Sequence, residues 1–279
     1  MTRKPAYDTA TFLFDAPVAV DAVHMHPDGT IEMLAGGAVL QPREVRAGKH
    51  RPRQGHREKP LVSIPSVQGG ATMHEAQTLA QYRFIFAVDT NSRVISGQTV
   101  SFASIAVCSL RPDPTRDGIA VLQTVHIGGY EFRGMADRQE RLAWVLLQDA
   151  IRGSPDFDRE ARYLILTDHD LKQHSAINAG QAPLFDDVML LDGLTLGYAT
   201  SDSGNSIAQK ILRGCDRNSG RFLRDIAAGV VGDAGLMPLA RGPITHFRGV
   251  QNTAPALRTH PAGFRLNTAT PFLDRYSTE

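Results

Sequence analysis

Tyr163–Gln173 reads YLILTDHDLKQ, four apolar residues that run without a turn-former into Thr167, Asp168, His169 and Asp170. Two readings compete for this stretch. A strand that has merely reached the surface uses an Asp to cap the next helix through its side-chain oxygen. An open α/β sheet instead carries its chemistry at the carboxyl ends of its strands. The segments on either side decide which reading has support.

Upstream, YRFIFAVDTN (residues 82–91) predicts a strand ending at Asp89, and TVSFASIAVCSL (99–110) a second strand with alternating Val100, Phe102, Ser104, Ala106 and Cys108. GIAVLQTVHIGGYEF (118–132) predicts a third strand, with Gly128 and Gly129 marking a bulge or bend. Short links separate the three, one containing Gly97 and the other the turn cluster RPDPTRDG, so an antiparallel meander is expected. ADRQERLAWVLLQDAIRGS (136–154) is a helix with Leu142, Val145, Leu146 and Ala150 on one face, stopped by Gly153 and Pro155, and Trp144 reads as core. Beyond the quoted strand come a helical turn at LKQHSAINAGQ, a strand in VMLLDGLTLGYAT and a helix NSIAQKILRG that Gly214 should stop. A separate short helix is expected at RFLRDIAAG.

The order β, β, β, α, β, α, β, α predicts an α/β fold. Its mixed five-stranded sheet has three antiparallel strands followed by α/β crossovers, with helices on its faces. Three regions follow. Residues 1–80 form a β-rich extension with a hairpin signal at HPDGT and a basic arm, residues 81–228 the core, and residues 229–279 an extended region rich in Gly, Pro, Thr and Arg.

Bulk properties narrow the class. The 279 residues carry a formal net charge of +1 with 42% hydrophobic content, ordinary for a globular protein. Cys108 and Cys215 lie far apart, which argues against a disulfide scaffold or thiolate zinc site and predicts two buried thiols in a reducing compartment. The N-terminus lacks the apolar stretch of a signal peptide and no run is long enough to span a bilayer, so a cytoplasmic protein without membrane association is expected. Phosphate-loop patterns and the GxSxG elbow are both absent.

The acids then fall into a pattern. Asp89 ends the first strand, Glu140 lies in the first turn of the first helix, Asp168 ends the fourth strand, and Asp202 precedes the last helix. Taken one at a time these are caps and favourable first-turn acids. Together, in the stretches FAVDTN, RQERLAWVLLQDAI, LILTDHD and ATSDSGNSIAQKIL, they give the segment 82–228 an arrangement that resembles the ribonuclease H-like superfamily of nucleases and integrases. Piwi-like and NurA-like nucleases share that core. Asp89 is followed here by Thr-Asn rather than the Gly-Ser common in the family.

The resemblance implies a nuclease that hydrolyses phosphodiester bonds in DNA or RNA, with Asp89, Glu140, Asp168 and Asp202 as both catalytic residues and ligands of two Mg²⁺ or Mn²⁺ ions. The chemistry has an independent rationale. Clustered carboxylates stay ionised only beside a compensating charge, and all-oxygen ligation selects hard cations. Asp170, Asp192 and Asp216 are the substitutes for Asp202, the weakest of the four, and Asp170 and His174 are auxiliary candidates. A mixed centre using His169 and His174 with the neighbouring aspartates matches no metal-ligand spacing.

Between Pro42 and Pro60, seven Arg or Lys stand against two Glu without apolar periodicity. This is either a solvated loop or an arm whose Arg46, Lys49, Arg51, Arg53 and Arg57 hold nucleic-acid phosphates without reading sequence. The C-terminal region is a candidate contact for a second copy or a partner protein. A different class also fits the sequence, a non-catalytic module on the same core that binds nucleic acid or protein.

Overall fold

The computed structural model describes residues 22–25, 31–35, 38–40, 73–112, 117–121, 125–134, 139–168, 173–199, 207–239, 244–251, 264 and 266–268. The basic arm with Arg46, Lys49, Arg51, Arg53 and Arg57, and the candidates Asp170 and Asp202, lie outside them. Three short N-terminal strands come first, β1 (Ala22–Met25), β2 (Ile31–Ala35) and β3 (Ala38–Leu40). Helix α1 (Met73–Leu79) leads into the long strands β4 (Phe84–Ile95) and β5 (Gln98–Cys108). Then follow β6 (Leu110–Pro112), β7 (Ile119–Val121), β8 (Val125–Arg133), α2 (Gln139–Arg152) and β9 (Tyr163–Thr167). The remaining elements are α3 (His174–Asn178), β10 (Leu194–Tyr198), α4 (Ile207–Ala227), β11 (Met237–Pro238) and β12 (His246–Gln251).

The fold is α/β, with a mixed seven-stranded sheet in the order β10-β9-β4-β5-β8-β12-β11 and helices on its faces. The five expected strands are its consecutive members from β10 to β8. β4, β5 and β8 pair antiparallel, while β9 runs parallel to β4 and β10 parallel to β9, as crossovers through α2 and α3 require. A sheet of five strands was expected. The correction comes from the C-terminal region, where β12 pairs antiparallel with β8 from His246↔Arg133 to Gln251↔Gly128, and β11 pairs with β12. A second sheet, in the order β3-β2-β1-β7-β6, joins the N-terminal hairpin to a short hairpin inserted after β5. The third strand expected over residues 118–132 is therefore two strands in two sheets.

Strand alternation distributes the core over both faces of the large sheet. Phe84, Phe86 and Val88 of β4 and Tyr163 and Ile165 of β9 pack with α2, whose Leu142, Trp144, Leu146, Leu147 and Ile151 are buried. Phe264, from the C-terminal region, meets Phe84 and Phe86 edge-on at 4.9 and 5.1 Å. Ile85, Ala87, Leu164 and Leu166 face the other way, toward Ile207, Ala208, Ile211, Leu212 and Cys215 of α4. Gly214 does not stop this helix, and the two expected helices are one. The apolar face continues through Phe222, Leu223 and Ile226, and its burial outweighs the ~1 kcal/mol that a mid-helix glycine costs.

Local signals behave as their chemistry dictates. Ser96 and Gly97 close the β4–β5 hairpin with φ of 51° and 79°, the two-residue turn that matches strand twist. The register of β5 against β8 shifts between Ile105 and Ala106, opposite the Gly128 break. A Cβ on Gly128 would lie 2.1 Å from the Val250 carbonyl oxygen, and one on Gly129 2.2 Å from that of Ala103. At the β10 edge the Asn178 side chain accepts from Leu196 N–H and donates to Leu196 C=O, both at 2.8 Å. Among the described residues no helix is long and apolar enough to cross a membrane.

One ion-pair network fastens the added strands. Glu131 of β8 is fully buried and receives Arg248 of β12 at 2.5 Å and Arg133 at 2.9 Å. Arg248 also donates to the carbonyls of Gly232 and Ala234, and Arg133 reaches Asp233 at 2.8 Å. Losing Arg248 leaves the fully buried Glu131 compensated by Arg133 alone, whereas losing Glu131 and Arg248 together removes both buried charges. Arg248→Met is expected to lower stability by about 3–5 kcal/mol in urea unfolding, and the double variant Glu131→Leu/Arg248→Met to recover most of that loss. A double variant no more stable than the single would show that packing rather than charge is at stake.

Candidate acidic centre

Parallel pairing between β4 and β9 ends at Val88↔Thr167. The next residue on each chain is an aspartate, so this register sets Asp89 beside Asp168. Asp89 does not end its strand, as the sequence suggested. It lies within β4, which runs six residues further as a hairpin with β5 and turns from buried to exposed after Asp89. The carboxylate still stands at the carboxyl end of the parallel strands, because β9 stops there. Asp89 is only 5% exposed. By alternation it follows Ile85 and Ala87 toward α4, while Thr167 follows Tyr163 and Ile165 toward α2.

Glu140 enters from the first turn of α2 and accepts a hydrogen bond from the buried Thr167 hydroxyl. The fourth acid comes from α4. Asp216 lies in its third turn, next to Cys215, whose Sγ sits 3.5 Å from the Ala87 carbonyl oxygen. The Asn91 amide clamps Asp216 from β4, donating to its Oδ1 at 2.9 Å and its carbonyl at 3.1 Å, with Ser219 Oγ at 2.6 Å. Asp216, one of the substitutes named for Asp202, is thus close enough to act on Asp89, while Asp202 itself lies outside the described residues. Asp192 does not substitute. It precedes β10, and the pairing Leu194↔Tyr163 puts it at the amino end of the parallel strands, opposite the acids.

Electrostatics tie these groups together. Burial, then the charges of Asp168, Glu140 and Asp216, push the Asp89 carboxyl up to about 9, against a small lowering by the Thr90 N–H. Burial pushes Glu140 up to about 8, with Asp168 adding and the Thr167 hydroxyl opposing. Mutually repelling acids are thus gathered at this end of the sheet. Cys108 and Cys215 are buried and free, as expected, and burial raises the Cys215 thiol further out of the reactive range. His174, at the start of α3, stacks obliquely on Tyr198 with ring centres 6.1 Å apart, and Tyr198 pairs with Thr167. It stands on the Glu140 side of the centre.

The donor set is carboxylate oxygen throughout, which suits a hard cation rather than zinc or copper. Among the described residues no three His, Cys, Asp or Glu side chains stand close enough together to hold a metal ion as they are. The acids are near enough to repel, and drawing them onto a cation would require side-chain movement. No protein-family model, curated protein or solved structure matches the chain.

The raised carboxyls fix a sign. A buried acid with a folded value near 9 and an unfolded value near 3.8 binds more protons in the folded state across that interval, so folding stability falls as pH rises from about 4 to about 9. In EDTA the melting temperature is expected to decline from pH 5 to pH 9, and Asp89→Asn to flatten the decline and raise the melting temperature at pH 8. An unchanged slope in Asp89→Asn would show that this carboxyl is not held neutral.

Proposed function

We propose that the chain is a divalent-metal-dependent nuclease on a ribonuclease H-like core, hydrolysing phosphodiester bonds in DNA or RNA. The observation that carries this reading is the convergence of Asp89, Asp168, Glu140 and Asp216 from two parallel strands and two helices at one end of the sheet. The antiparallel run β4-β5-β8 followed by parallel β9 and β10 supports the same family resemblance.

Asp89, Glu140, Asp168 and Asp216 would hold two Mg²⁺ or Mn²⁺ ions. Bound there, such ions supply Lewis acidity at the phosphodiester and a lowered pKa for the attacking water. The protein's own part is positioning and charge. Thr167 fixes the rotamer of Glu140, and Asn91 fixes Asp216. Asp89 is desolvated, so it surrenders its proton only as positive charge arrives, and cation binding should release protons and tighten as pH rises toward 9.

The second reading, a non-catalytic module that binds nucleic acid or protein, is favoured by the lack of a closed metal-type cluster among the described residues. Cleavage of labelled single-stranded RNA, single- and double-stranded DNA and RNA–DNA hybrid in Mg²⁺, Mn²⁺ or EDTA separates the two. Metal-dependent cutting that drops on the order of 10²-fold or more in Asp168→Asn supports the nuclease. No cutting, or cutting that survives the substitution, rejects it. Mn²⁺ at a hundredfold excess over its dissociation constant should also add about 2.7 kcal/mol of stability, on the order of 5–10 °C in melting temperature for a chain this size, absent in Asp89→Asn.

A further inference from the structure

Helix α4 does more than bring Asp216 to the sheet. Its sequence, IAQKILRGCDRNSGRFLRDIA, contains five basic residues, two Asp and no Glu, in a chain whose net charge is only +1. Arg213, Arg217, Arg221 and Arg224 recur at intervals of four, four and three, which at 3.6 residues per turn places them within an arc of about 80°. That arc lies opposite the face of Ile211, Cys215, Phe222 and Ile226, which is buried against the sheet. Arg217 and Arg224 are exposed, and Arg213 and Arg221 partly so.

Within the helix Arg221 meets Asp225 at 3.8 Å, Arg217 Nε donates to the Arg213 carbonyl at 3.2 Å, and Asn91 holds Asp216 on the flank. Arg224, in the last turn, also favours the helix dipole. The dipole gives a reason for a cation at that end, not for the exposed Arg217 two turns earlier.

The row is also continuous with the acidic centre. Gly220 lies one turn from Asp216 on this face, and a Cβ there would come within 3.6 Å of Arg224 Nη1 and 3.9 Å of Asn91 Nδ2. The Arg224 guanidinium and the amide that clamps Asp216 therefore both border Gly220. Planar guanidinium groups suit phosphate oxygens, and a repeating line of them suits a repeating anion. We infer that the outer face of α4 binds the phosphate backbone of a nucleic-acid strand through Arg213, Arg217, Arg221 and Arg224, leading it past Gly220 to the carboxylates. Binding stands on the row itself, and only its purpose, delivery of a phosphodiester for cutting, rests on the nuclease reading.

The test is fluorescence anisotropy of labelled single-stranded DNA, single-stranded RNA and duplex DNA with the full chain in EDTA, where nothing is cut, across about 50–200 mM salt. Arg217→Gln/Arg224→Gln is expected to weaken binding tenfold or more at low salt. It should also reduce the slope of log K against log salt by about 1.4 on single strands or 1.8 on duplex. Arg217→Lys/Arg224→Lys should keep the slope, and all three proteins should melt alike. The proposal is overturned if the parent binds none of these probes, or if the Gln variant binds with unchanged affinity and slope. Binding lost in the Gln variant of a chain that cuts nothing would keep the row and reject the nuclease, whereas metal-dependent cutting with an unaltered slope would do the reverse.

Discussion

Repulsion among carboxyl groups at the point where β9 stops pairing with β4 is the constraint around which this molecule is arranged. The register Val88↔Thr167 forces Asp89 and Asp168 side by side, and α2 and α4 each contribute a further acid at that end. A fold free to choose would separate these groups or intersperse basic side chains, since each buried charge is expensive to desolvate and more so beside its like. Instead the surroundings are rigid. Asp89 stands on a strand paired on both sides, Glu140 is pinned by Thr167, and Asp216 by Asn91. Stability is given up locally and recovered in the aromatic and aliphatic layers on either face.

The segments that determine the sheet were legible because their physics is local. The apolar runs of β4 and β9, the alternation in β5, the helical face of α2, and the glycines at the β4–β5 turn and the β8 bulge each follow from short-range sterics and burial. Asp89, Glu140 and Asp168 were recoverable for the same reason, as acids abutting strong elements. Asp216 was harder to single out. It sits inside a helix, and only the packing of Cys215 under Ala87 and the reach of Asn91 give it a direction.

Long-range pairing was the part least visible in the sequence. β12, HFRGVQ, carries an arginine in the middle of a buried strand, which reads as a loop until its partner Glu131, 117 residues away, is known. The length of β4 beyond Asp89 depends on β5, and the continuity of α4 through Gly214 depends on the face it buries. Hairpin partners and tertiary packing override local propensity in both cases.

The single amide of Asn178 has a wider effect than one pair of hydrogen bonds. β10 is the outermost strand, so the N–H and C=O of Leu196 would otherwise point outward as the template on which another chain could add a strand. Asn178 occupies both, as a one-residue imitation of a neighbouring strand. The opposite margin is β11, two residues long and ending in Pro238, whose nitrogen has no proton to give. Among the described residues, each margin of the large sheet thus carries a different device that obstructs the addition of a further strand.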